Sequence, residues 1–247
     1  MYNILILILI FILVILHFKY GEKSKYGKIA LTPCHDQTLI AAFNKAFSRN
    51  ITGFEFFNEL LRAESYTSYK VRVTNKKYSE VQPTKKVMLG EEFNNNLNID
   101  TFQTALHELQ HVRDRKLLLL NLIPLTVFAI CYLLFALKLL LFAFDNFGVT
   151  NQYLQLINYY QLSIIVVGLC SLILATVICI VLEKRAILNV PQTASKYLLN
   201  LSKEEVKDIM HYIMHRAENT VVYYTAGILF TNIIMVTALT VIAIIFK

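Results

Sequence analysis

Four cysteines in 247 residues are too few and too scattered for a disulfide framework. Cys131, Cys170 and Cys179 fall in long apolar runs and Cys34 stands alone in a polar stretch, so packing is their expected role. The segment DNFGVTNQYLQLINYYQ, residues 145–161, contains no lysine or arginine. The first apolar run, Tyr2–Phe18, has no basic residue before it and no small-residue cleavage site after it. A cleavable signal peptide is thereby disfavoured and a retained anchor expected. No internal repeat is present. The apolar runs also lack paired charges and broken-helix patterns, so nothing supports a transporter. The one charge well inside a run, Lys138, is accounted for by snorkelling to the nearer interface.

What the chain has in abundance is apolar surface: 56% hydrophobic residues and a mean hydropathy of +0.50 exclude an ordinary soluble domain. Apolar runs at 2–18, 117–144, 162–182 and 221–246 each approach or exceed the roughly 20 residues that cross a bilayer core. About four transmembrane helices are therefore expected. Of the 24 basic residues, 16 lie within 19–116 and six within 183–218, against none in 145–161. Loops rich in Lys and Arg stay in the cytoplasm, so the segments 19–116 and 183–220 are expected on that side and 145–161 outside, in a multi-pass plasma (inner) membrane protein. The net charge of +7 then reflects this bias rather than a nucleic-acid footprint.

The segment 19–116 is long enough for a small folded unit. Asp36 to Phe47 carries Leu39, Ile40, Phe43 and Phe47 at helical spacing, and Thr52 with Glu55 forms a capping box for TGFEFFNELLRAES. Two strands are predicted, YKVRVTN and KKVMLG. Asp100 is the expected N-cap of the next helix, with Gln103 three residues on. That helix is predicted to run into the second span. In the second polar segment, Ser202 and Glu205 make another capping box, opening a helix towards the fourth span.

The helix after Asp100 carries TALHELQH, in which His107, Glu108 and His111 form the H-E-x-x-H pattern. Residues four apart share a helix face, so both imidazoles can address one metal ion, while Glu108 stands beside it as a general base. A zinc ion in such a site lowers the pKa of water towards ~7 and polarises a carbonyl. Chance predicts about 0.007 such patterns in a chain of this composition, the competing reading being a solvated helix whose histidines are bystanders.

Two histidines need a third protein ligand. Glu183 is the first residue past the third predicted span, and the antiparallel hairpin of spans two and three returns it to the depth of His111. It is the expected ligand; its alternative is an ordinary interfacial charge in the run EKR. His211 and His215, with Glu218 three further on, form a weaker rival pair, read as a second metal site, as oxyanion donors or as a solvated face. Tyr224 could donate a hydrogen bond to an oxyanion or anchor at the interface.

Across residues 52–230, the order of TGFEFFNELL, KKVMLGEEF, TALHELQH, a transmembrane pair ending in LEKRA, LSKEEV and VVYYTAGIL resembles the YugP-type family of membrane neutral zinc metallopeptidases. More distantly, the layout is similar to HtpX-like membrane zinc proteases. The resemblance implies one Zn2+ per chain held by His107, His111 and Glu183, with Glu108 as the catalytic base. It also implies that Val87–Gly90, in KKVMLG, is an edge strand against which an extended substrate pairs. The chain departs from the family pattern at Gln110, where glycine is usual, in YSEVQPT, which replaces an acidic stretch, and in residues 27–50, which have no family counterpart.

The expected fold is thus mainly α: an integral membrane protein with about four spans and a small cytoplasmic α+β zincin-like metalloprotease domain. The expected function is a zinc metalloendopeptidase whose partners are the lipid bilayer and a polypeptide substrate, unfolded or membrane-proximal, with no nucleic acid. The alternative is a zinc-stabilised membrane scaffold or assembly factor without turnover.

Overall fold

The computed structural model describes the backbone of all residues except 1, 22, 48, 49, 77, 146–158 and 246–247. The predicted outer loop therefore lies almost wholly outside the described residues, as does the Lys138 side chain. The described chain is mainly helical with one small sheet, and it divides into two compact units.

The first unit comprises residues 1–21, 119–180 and 225–247. It draws on four helices, α1 (Tyr2–Tyr20), α6 (Arg115–Asp145), α7 (Gln161–Ala194) and α8 (Lys203–Ile245). Among the described residues, three stretches are long and apolar enough to cross a membrane: Arg115–Leu134, Ser163–Tyr197 and Lys203–Ala238. At 1.5 Å per residue even the 20-residue stretch spans about 30 Å. In α1 the side chains are described from Ile10 on, and Ile10–Tyr20 is apolar. Ile130, Leu133 and Ile173 are each more than half exposed, which is costly in water and ordinary against lipid tails. Inside the unit, the Asn121 amide donates to Cys179 Sγ at 3.1 Å and the Asn232 amide to Thr176 Oγ1 at 2.6 Å. Such bonds join α6 to α7 and α7 to α8 where apolar packing alone gives little specificity. Cys131 is buried opposite Gly168, whose missing side chain lets the two helices approach.

The second unit comprises residues 22–118 and 181–224. Its N-terminal part carries α2 (Lys25–Leu31), α3 (Gln37–Ala46), α4 (Gly53–Ala63) and α5 (Ile99–Arg113). Asp36 caps α3, and Thr52 with Glu55 makes the predicted capping box of α4. The Ser202–Glu205 box likewise opens α8. The apolar faces of these helices converge on Phe102 of α5, whose ring lies 5.3 Å from Phe43, 5.4 Å from Phe47 and 5.3 Å from Phe56. Residues 27–50 thus contribute α3 and its buried Phe43 to the same core that Leu106, Leu109, Ile209 and Ile213 build.

The sheet corrects two expectations. It has three strands, β1 (Lys70–Val73), β2 (Glu80–Gln82) and β3 (Lys86–Leu89), in the order β1-β3-β2. β3 pairs parallel with β1 and antiparallel with β2, so KKVMLG is central and Val87–Gly90 is no edge on which a substrate could pair. The strand that takes one of its sides, β2, lies within YSEVQPT; at three residues with one buried side chain it is too short to show periodicity.

The start and end of α5 differ from expectation as well. Asn98, extended at φ −123° and ψ 172°, is the N-cap: its side-chain oxygen accepts from the N–H groups of Asp100 and Thr101 at 3.0 and 2.9 Å. Asp100 sits within the first turn, where its carboxylate accepts from Cys34 N–H at 2.8 Å and Tyr212 O–H at 2.9 Å and pairs with Arg216. Tertiary partners claim the group that local pattern assigned to the cap. Asn98→Ala is expected to cost about 1 kcal/mol of stability, the usual loss of one cap, and Asp100→Ala about 2–3 kcal/mol because a charged bond is lost with it. Thermal unfolding of the purified variants ranks the two. At the other end, α5 stops at Arg113, Asp114 forms the C-cap, and α6 begins at Arg115, so the helix does not run unbroken into the second predicted span.

Candidate metal centre

Among the described residues, the group that could hold a metal ion lies in the second unit. α5 buries Phe102, Ala105, Leu106 and Leu109 in the core, and this anchoring face fixes the rotation of the helix. One turn separates His107 from His111, and their rings meet edge to face with centroids 4.6 Å apart. Their Nε2 atoms are 3.0 Å apart. Glu183 comes from α7, whose neighbouring Leu182, Ala186 and Ile187 are buried. Its carboxylate turns one oxygen to each histidine: Oε2 lies 3.5 Å from His107 Nε2, and Oε1 lies 3.5 Å from His111 Nε2.

These three side chains could hold a metal ion. Bonds of 2.0–2.1 Å in a tetrahedral site place neighbouring ligand atoms roughly 3.3–3.4 Å apart; the two imidazole nitrogens are 3.0 Å apart, and each has a different Glu183 oxygen at 3.5 Å. Two imidazoles and one carboxylate are also the donor set that leaves a fourth position free. Among the described residues no other group of three such side chains converges.

The two imidazoles differ in charge state. Burial, followed by repulsion from His111, lowers the His107 pKa to about 4, so His107 is neutral at neutral pH, as a ligand must be. For His111, burial also disfavours the cation, but the hydrogen bond to Glu183 and the charges of Glu108, Glu183 and Asp114 together outweigh it and hold the pKa above the usual value. Glu108 is not part of the triangle. Burial raises its carboxyl to about 7, opposed by His111 and reinforced by the negative charges of Glu183, Glu80 and Glu92. Its Oε2 is buried without a hydrogen-bond partner. A buried carboxyl with a pKa near neutrality and a free oxygen can act as an acid or a base.

The structure thus brings together His107, His111 and Glu183, with Glu108 beside them. His211 and His215 stay apart: both are exposed on α8, their ring centroids 6.4 Å apart, and Glu218 does not close a group with them. Tyr224, 43% exposed, is near enough to Glu183 and Glu108 to be affected by their charge. Sequence reasoning missed Glu80 and Glu92. Glu80 belongs to the strand that left no periodic signal, and nothing in the sequence marks Glu92 as a neighbour of Glu108. Comparison of the chain with protein-family models, curated proteins and solved structures finds no match.

Proposed function

We propose that this chain is a membrane-embedded zinc metalloendopeptidase that hydrolyses unfolded or membrane-proximal polypeptides at the cytoplasmic face of the membrane, with one Zn2+ per chain and four spans including α1. One observation carries the reading: two imidazole nitrogens 3.0 Å apart, each with one Glu183 carboxylate oxygen at 3.5 Å, beside a buried glutamate that takes no part in the group. The zinc would supply Lewis acidity towards water and the scissile carbonyl. His107, His111 and Glu183 would hold it. Glu108 takes the proton of the attacking water and delivers it to the leaving amine, as its near-neutral pKa allows. The cytoplasmic placement rests on 22 of the 24 basic residues lying in 19–116 and 183–218. The site's place in the chain, with His107 and His111 just before the apolar stretch that begins at Arg115 and Glu183 within the stretch Ser163–Tyr197, favours substrates held close to lipid.

Substrate pairing on the sheet moves from β3 to β2, which packs against α5 and has β3 as its neighbour on one side. An extended peptide added to its other side would meet main-chain groups and be bound with little regard to sequence.

A second reading is a zinc-stabilised scaffold without turnover, because a metal ion held by His107, His111 and Glu183 would tie α5 to α7 whether or not Glu108 acts as a base. Cleavage of a dye-labelled unfolded polypeptide by the purified full-length protein in detergent separates the two. The enzyme reading expects cleavage that a chelator abolishes and added zinc restores. Stoichiometric zinc with no cleavage above the Glu108→Gln background establishes the scaffold instead.

A further inference from the structure

Gln110, the residue that departs from the family pattern, is buried in the middle of a polar chain that the metalloendopeptidase reading does not use. Its side-chain N–H donates to Asp114 Oδ2 at 2.9 Å, and its carbonyl accepts from Arg113 Nη1 at 3.2 Å. Asp114 in turn pairs through Oδ1 with Arg185 Nη2 at 2.9 Å. Arg113 reaches Thr193 Oγ1 at 3.4 Å and is itself held by Glu64, whose Oε2 accepts from Arg113 Nε at 2.8 Å. Arg185 and Thr193 both belong to α7, two and ten residues beyond Glu183. The end of α5 is therefore tied to α7 at two points on one side of the glutamate that meets the histidines.

Apolar packing brings these helices together but is non-directional, so it leaves α7 free to slide or turn by fractions of a residue. One residue along a helix is 1.5 Å of rise and about 100° of rotation, enough to take Glu183 out of reach of both Nε2 atoms. A charge-assisted bond between fixed atoms removes that freedom. We propose that Gln110, Asp114 and Arg185 form a positioning clamp that sets where Glu183 meets His107 and His111. The inference rests on the reading of those three residues as the metal ligands. Gln110 is the lever because its amide holds the buried Asp114 carboxylate in place on one side and Arg113 on the other. Arg185 completes the clamp from α7, and its side chain is 53% exposed, so it can be changed without opening the core.

The test uses the full-length protein in detergent with zinc itself as ligand. Affinity is measured by competition with a chromogenic chelator, and coordination by the visible absorption of the cobalt-substituted form. Arg185→Gln and Asp114→Ala are each expected to weaken zinc binding by about 10–100-fold, the usual effect of losing a group that orients a ligand. The double variant should be no weaker than the more affected single one, because both changes break the same bond. The cobalt spectrum should shift in each, and Arg185→Lys should recover part of the affinity. Wild-type affinity together with an unchanged cobalt spectrum in Arg185→Gln overturns the clamp, as do losses that multiply in the double variant. A His107→Ala arm separates the two levels. If that variant binds zinc as tightly as wild type, the metal-site reading falls and the clamp with it; if it loses zinc while Arg185→Gln keeps it, the clamp alone is overturned.

Discussion

Glutamine at position 108 is expected to leave zinc binding intact and to lower polypeptide cleavage by about 10²–10⁴-fold, the usual contribution of a general base. At about 1.4 kcal/mol per tenfold, this is roughly 3–5 kcal/mol of transition-state stabilisation. Metal content should not change, because Glu108 lies outside the donor triangle and glutamine has nearly the same shape. Turnover should change because the amide cannot accept a proton, whereas the carboxyl it replaces is held near neutrality by burial and has one oxygen free of any hydrogen bond. The measurement is kcat/KM on an unfolded polypeptide beside zinc content in the same preparations. Equal cleavage by wild type and variant removes the enzyme reading. Loss of zinc along with activity assigns Glu108 to the metal rather than to the proton.

The parts of this architecture legible in the sequence are those written in short, local patterns. The Thr52–Glu55 and Ser202–Glu205 boxes need only four residues each, and both form as the spacing predicts. The two histidines need one helical turn. Glu183 lies 72 positions from His111, yet the hairpin implied by the two apolar runs between them is enough to return it to the same place. The illegible parts depend on partners brought in from elsewhere. Asp100 has the composition of a cap, and only the arrival of Cys34, Tyr212 and Arg216 turns its carboxylate to other use and leaves the cap to Asn98. β2 is too short to alternate visibly, so nothing in the sequence marks KKVMLG as the central strand and the edge that the family resemblance implies goes unchallenged there. The polar chain through Gln110 joins residues of α5 to residues of α7 about 70–80 positions away, by a charge pair and hydroxyl contacts that no periodicity encodes.

Replacement of any one donor in the triangle is expected to remove stoichiometric zinc. Wild type should carry one zinc per chain and His107→Ala or His111→Ala none, because two remaining donors cannot hold a tetrahedral ion against chelation by the medium. Glu183→Ala is the sharper case. It tests a residue assigned by topology and geometry rather than by the H-E-x-x-H pattern, one whose two carboxylate oxygens each lie 3.5 Å from one imidazole nitrogen. The stability readout follows from linkage: free zinc at a thousand times its dissociation constant stabilises the folded state by about 4 kcal/mol. A chelator should therefore lower the thermal midpoint of wild type markedly and leave that of the three variants where it was. The metal-free forms add an independent check. Without Glu183, His111 loses one of the carboxylates, and the hydrogen bond, that raise its pKa, so burial weighs more and the ring shifts towards the neutral form. Histidine titration followed by NMR in metal-free Glu183→Ala should show His111 deprotonating at lower pH than in the metal-free wild type. Stoichiometric zinc in both Glu183→Ala and His107→Ala sinks the ligand set, whatever the chain's activity.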